Sequence, residues 1–113
     1  MHEMALAEGV LQILQDQARE QNFQQVKTVW LEIGELSHVE PDALSFCFDA
    51  VVDGSLAEGA KLEIISTPGK AWCHNCAKDV HVSDLTEACP LCRGYQLQMT
   101  GGDNMRVREL EVD

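Results

Sequence analysis

Cys73-His74-Asn75-Cys76, twelve residues, then Cys89-Pro90-Leu91-Cys92: this stretch decides the fold. Each Cys-x-x-Cys leaves two residues in which the chain turns and aims both sulfurs at one point. Two such pairs at this separation close four thiolates around one ion. Zn²⁺ takes four ligands tetrahedrally, and a Cys₄ set leaves no open position, so the pattern predicts a structural zinc ribbon and not a catalytic metal. Pro90 stiffens the second turn and Gly94 follows it.

Two other readings of the cysteines compete. Paired disulfides belong to oxidising compartments. The start Met1-His2-Glu3-Met4 has no basic n-region, so no secretory signal is expected. A redox dithiol is the second alternative, since Trp72-Cys73-His74-Asn75-Cys76 has the look of a thioredoxin-type motif. That motif opens a helix in a βαβ unit. Here Ala77-Lys78-Asp79-Val80-His81-Val82 alternates like a short strand, and a second matched pair follows. The fifth cysteine, Cys47, falls on an apolar helical stripe and reads as a core thiol.

Outward from the ribbon, the chain reads as a small α/β domain. In residues 4–21, Ala7, Val10, Leu11, Leu14 and Ala18 share one helical face, and Asn22 is the expected stop. Residues 26–33 predict a strand with Val29, Leu31 and Ile33 on one face, ended by Gly34. Residues 35–40 read as a loop. Pro41 opens a second helix where its missing N–H costs nothing, with Leu44, Cys47, Phe48 and Val51 inward and Gly54 expected at C′.

Residues 61–66 predict a second strand, Pro68-Gly69 a turn into the ribbon, and 95–100 a strand pairing back across it. Residues 105–112 alternate as a closing strand, with Met105, Val107 and Glu109 on one face. The expectation is an α/β fold: a small sheet and two helices forming a metal-binding domain, 1–68 and 101–113. A Cys₄ zinc ribbon is inserted at 69–100.

The balance of 8 basic to 19 acidic residues gives a formal charge of −11. Such a charge repels nucleic-acid phosphates and anionic membranes, which argues against the nucleic-acid binding common among zinc ribbons. Between Cys73 and Cys92 only Lys78 stands against Asp79, Asp84 and Glu87. No apolar run reaches the length of a membrane span. No paired carboxylates, Ser-His-Asp set, Walker loop or dinucleotide turn is present, so an enzyme is not expected.

Chemistry is legible at a second place, Met1-His2-Glu3. A histidine in position two offers the terminal amine of Met1, its own backbone nitrogen and imidazole Nδ1. These close five- and six-membered chelate rings in one plane, with a fourth corner open. Square-planar nitrogen sets suit Ni(II) or Cu(II). The plainer reading, a polar residue ahead of a helix, stands beside it, and Glu3 suits a helix start equally well. His38, Glu40, His74 and His81 are open in the same way.

Taken together these residues resemble a known family. The Met-His-Glu start, the first helix, Trp30-Leu31-Glu32-Ile33-Gly34-Glu35-Leu36-Ser37, Phe46-Cys47-Phe48 and the late double Cys-x-x-Cys are similar to the hydrogenase-maturation nickel metallochaperones, HypA/HybF. The resemblance implies a cytoplasmic protein that passes Ni(II) to a [NiFe]-hydrogenase large-subunit precursor, with a nickel-handling GTPase of the HypB type as partner. It implies nickel at His2 and Glu3, with the Met1 amine as a further candidate, and structural zinc at Cys73, Cys76, Cys89 and Cys92. It makes Glu40 a candidate auxiliary ligand or partner contact. Some members place histidines just outside each cysteine pair; here His74 lies inside the first pair and Arg93 follows Cys92. The competing function is a zinc-ribbon protein-interaction module with no nickel cargo.

Overall fold

Two helices and six strands follow one another along the chain in the computed structural model, which describes residues 2–113. The first helix, α1, spans Glu3–Gln21. Ala7, Val10 and Leu14 of its expected stripe are buried, with Leu11 and Ala18 half-buried. It ends at Asn22 in the left-handed conformation, φ 59°, a conformation that asparagine tolerates better than most residues. The strand β1, Val26–Gly34, follows.

The second helix, α2, spans Pro41–Val51 and packs against α1. Leu44 and Phe48 are its buried residues. Cys47 is half-buried and so is Val51, so the expected core thiol sits at the margin; Phe48 and Val52 fill the interior instead. The helix caps at Val52, whose N–H reaches the Phe48 carbonyl at 3.0 Å. Gly54 therefore lies two residues past the cap and not at C′. Its φ of +76° serves the following turn, where its N–H donates to Glu58 Oε1 at 2.6 Å.

Strands β2, Lys61–Thr67, and β6, Met105–Val112, flank β1 in a sheet of order β2-β1-β6. The closing strand thus returns to the first sheet, as the alternation predicted. Met105, Val107 and Leu110 are its half-buried residues, and Glu109 is exposed.

The chain divides into two compact units. The first comprises residues 1–31, 39–64 and 107–113. Buried Val26, Val29, Leu31, Leu44, Phe48, Val52, Ala57 and Ala60 join the α1 stripe there. Thr28, also buried, donates through Oγ1 to Glu111 Oε1 at 2.7 Å and so gives its hydroxyl a partner.

The second unit comprises residues 32–38 and 65–106. Its sheet has the order β4-β3-β5, with β3 at Lys70–Cys73, β4 at Lys78–His81 and β5 at Leu97–Gly101. Residues 95–100 were expected to pair across the ribbon, and β5 does so along β3. The central strand β3 follows the expected Pro68-Gly69 turn directly and had no expectation of its own. Only four residues long, β3 is too short to show a period.

The segment expected as a loop contains a 3-10 turn, Glu35–Ser37. That turn puts Leu36 into the ribbon core with Ala71, Cys73, Val80, Val82 and Cys89. Gly69 and Gly102 make this packing possible. A Cβ on Gly69 would stand 2.2 Å from the Val82 carbonyl oxygen and 2.7 Å from Leu36 Cγ, and one on Gly102 would stand 2.4 Å from the Pro68 carbonyl oxygen.

Leu36 is 3% exposed and is the one large aliphatic side chain that this small core borrows from outside the ribbon sequence. Leu36→Ala is expected to cost about 2–5 kcal/mol, the usual range for truncating a buried leucine. Chemical denaturation checks this, with amide exchange reporting the loss in residues 70–100.

Candidate metal centre

Four sulfurs meet in the second unit. The Sγ atoms of Cys73, Cys76, Cys89 and Cys92 all lie within 4.8 Å of one another. Two edges of the cluster are 3.7 Å, Cys73 to Cys92, and 3.9 Å, Cys76 to Cys89. A tetrahedral ion with Zn–S bonds of 2.3 Å requires sulfur–sulfur edges of about 3.8 Å, so the cluster fits zinc. No disulfide joins the cysteines. Among the described residues this is the only group of three or more His, Cys, Asp or Glu side chains placed to hold a metal.

Each pair is held by a turn of the same form. Ala77 follows the first pair and Arg93 the second, both left-handed at φ 54° and 65°. The Ala77 N–H donates to the Cys73 carbonyl at 2.8 Å, and the Arg93 N–H to the Cys89 carbonyl at 2.9 Å. The pairs are further fixed by His74 N–H to the Gln96 carbonyl and Cys89 N–H to the Gly94 carbonyl, at 2.9 and 2.8 Å. Cys73 and Cys89 are fully buried; Cys76 and Cys92 are half-buried.

Backbone N–H groups point at the sulfurs. Cys76 N–H reaches Cys73 Sγ, Leu91 N–H reaches Cys89 Sγ and Gly94 N–H reaches Cys92 Sγ, each at 3.4 Å. These donors stabilise the thiolate form. The Asn75 side chain and the Gly94 N–H bring the Cys92 thiol down to about 6. The Cys92 and Leu91 N–H groups lower Cys89. Burial and neighbouring sulfurs push Cys76 up to about 12. Metal binding requires the cysteines as thiolates, so a cation bound among them draws off their protons.

The other residues singled out from the sequence are placed as follows. His2 is exposed and occupies the N-cap of α1, where its side chain makes no capping hydrogen bond. Glu3 is 7% exposed, and its Oε2 accepts the N–H of Glu40 at 3.2 Å. Glu40 is the N-cap of α2. The N-terminal triplet and Glu40 are therefore joined by a hydrogen bond. The Met1 amine, the third expected nickel ligand, lies outside the described residues.

The remaining histidines belong to the second unit. His38 is left-handed at φ 61°, His74 is exposed in the first turn, and His81 Nε2 lies 2.8 Å from Glu35 Oε1. Reading the sequence missed Glu35. It anchors the ribbon twice, since the same Oε1 accepts the Gly69 N–H at 2.9 Å. It also missed Asn75, whose side chain helps to lower the Cys92 thiol. Neither has a signal in the sequence, because each partner is far away along the chain or on the opposite turn.

Fold and site together define a small α/β metal-binding protein with a four-cysteine ribbon. The chain belongs to the HypA family: the model for "Hydrogenase/urease nickel incorporation, metallochaperone, hypA" matches residues 1–112. It is 60% identical over 113 residues to hydrogenase maturation factor HypA of Albidiferax ferrireducens, covering 100% of both chains. It is 59% identical to hydrogenase maturation factor HypA 2 of Bradyrhizobium diazoefficiens, again over 100% of both. The solution structure of the Ni metallochaperone HypA from Helicobacter pylori shares the fold, with a TM-score of 0.72 at 22% identity over 99% of this chain and 97% of that one. The family is one of maturation factors, and the chain is not an enzyme. Among the described residues no helix is long and apolar enough to cross a membrane.

Glu35 generates a pH prediction. The Gly69 N–H, then the His81 imidazole, hold its carboxyl below the usual carboxylate range. A lowered folded-state pKa adds stability that is present above the ordinary carboxylate pKa and is lost as pH falls through the lowered value. Glu35→Gln keeps an acceptor for Gly69 but loses the charge. Its thermal midpoint is expected below wild type at pH 7, with the two curves converging in acid once the wild-type carboxyl is protonated.

Proposed function

We propose that this chain carries Ni(II) at its N-terminus and delivers it to the large-subunit precursor of a [NiFe]-hydrogenase, with a nickel-handling GTPase of the HypB type as partner. The work is cytoplasmic. The nickel ligands are His2, through imidazole Nδ1 and backbone nitrogen, and the Met1 amine, with Glu3 alongside. The four cysteines hold Zn(II), which fixes the ribbon and does not exchange with the cargo.

The observation that carries this reading is the place of His2. In a chain of the HypA family, His2 stands exposed at the start of α1 with no capping bond from its imidazole. Helix-start N–H groups have no intrahelical partner, so the His2 backbone nitrogen is not needed by the helix. Its carbonyl is engaged, accepting the Leu6 N–H at 2.8 Å, which fixes where the helix begins. A nitrogen set on a chain terminus holds the cation yet leaves a corner for a partner's ligand to enter. The Glu3 carboxylate, bound to the Glu40 N–H, ties that terminus to the start of α2.

Isothermal titration with Ni²⁺ tests the cargo site. His2→Ala is expected to abolish stoichiometric nickel binding while zinc content stays unchanged. An N-terminal tag that blocks the amine is expected to weaken binding. Unchanged nickel binding in His2→Ala would sink the proposal in favour of a zinc-ribbon interaction module without nickel cargo.

Zinc is tested separately. Cys73→Ser and Cys92→Ser are each expected to lose zinc and unfold residues 70–100 while the helices persist. Apparent zinc binding energies of about 10–16 kcal/mol in small metal-folded peptides show how much such a fold depends on its ion. Amide spectra retaining the ribbon signals would count against it.

A further inference from the structure

We propose that Cys76 is the reactive corner of the ribbon, the cysteine at which soft electrophiles modify the loaded protein and open its metal site. The proposal rests on the reading of the four cysteines as a zinc site. It goes beyond that reading by assigning one of four formally equivalent ligands a distinct chemistry.

The two turns begin alike and diverge one residue later. After Cys92, Arg93 is left-handed and Gly94 turns its N–H onto Cys92 Sγ at 3.4 Å. After Cys76, Ala77 is left-handed too, but Lys78 is already the first residue of β4, paired opposite Cys73. The first turn thus enters the sheet where the second returns to its sulfur. The consequence is an uneven set of donors. Cys73 Sγ receives the Cys76 N–H, Cys89 Sγ receives the Leu91 N–H, and Cys92 Sγ receives the Gly94 N–H. Among the described residues no N–H group reaches Cys76 Sγ; its neighbours are the other sulfurs.

Hydrogen bonds to a metal-bound thiolate withdraw electron density from sulfur and damp its nucleophilicity, so outer partners tune a ligand much as its own identity does. Access narrows the choice further. Cys73 and Cys89 are 0% exposed, while Cys76 and Cys92 are half-buried. Of the two accessible sulfurs, Cys92 carries an N–H donor and Cys76 none.

The step balances without an oxidant. Cys76 Sγ adds to an activated alkene: a carbon–sulfur bond forms, the carbon–carbon π bond breaks, and the resulting enolate takes a proton from water. The product thioether is neutral and binds a divalent ion weakly, so the Cys76 corner opens.

The test uses the full zinc-loaded chain with Cys47→Ser, which leaves only the four clustered thiols. Zinc content is measured first. Substoichiometric N-ethylmaleimide is then added, adducts are mapped by peptide mass spectrometry, and released zinc is read with a colorimetric chelator. The first adduct is expected on Cys76, roughly tenfold over Cys92, the scale on which outer hydrogen bonds affect a metal ligand, and zinc release is expected to track it. Equal labelling, or Cys92 first, in protein that holds stoichiometric zinc overturns the proposal. Protein that purifies without zinc instead overturns the zinc reading itself.

Discussion

Four sulfurs within 4.8 Å of one another form the constraint on which the ribbon depends. Thiols in such a space crowd, and thiolates repel, unless a cation sits among them. The surrounding apolar set is small: Leu36, Ala71, Val80 and Val82 with two of the cysteines themselves. A core of this size supplies too little burial to hold strands of four and five residues. The proposed zinc therefore stands in for the missing hydrophobic core. It also explains why the backbone spends so many N–H groups on sulfur.

The first unit is organised differently. Its stability comes from burial of the α1 stripe, α2 and the inner face of β1. Polar ties there are few and placed where they set geometry: Thr28 to Glu111 between β1 and β6, and Glu3 to Glu40 at the two helix starts. The second tie matters for the proposed cargo. A carboxylate that orders the start of both helices also positions the histidine beside it, so the proposed nickel-bearing terminus has a fixed base and an exposed imidazole. The proposed structural ion in a closed cysteine set and the proposed cargo ion at the start of the chain ask for opposite properties, and the proposal gives them separate places.

Much of this was legible in the sequence. Cys-x-x-Cys spacing is a local geometric requirement, so the four cysteines that cluster could be named before any fold was known. Helical periodicity placed α1 and α2 to within a residue or two, and Pro41 and Asn22 marked ends through their own backbone preferences. The N-terminal triplet, together with the ribbon, pointed to the HypA family. Where the reading failed, the cause was again local. Cys47 and Gly54 sat one helical step from where tertiary packing put the boundary.

The sequence by itself determined the four-cysteine cluster, the helices and the alternating strands, because each depends on residues a few positions apart. Only the tertiary structure decided which distant groups complete them. Leu36 enters the ribbon core from more than thirty positions upstream of Ala71, and Glu35 anchors both Gly69 and His81. Asn75 lowers the Cys92 thiol from the opposite turn, while Cys76 is left without an N–H donor. Such pairings join groups far apart in the chain or on opposite turns, and they carry no period or spacing. They are set by which surfaces meet once the backbone has closed, and so they emerge only in three dimensions.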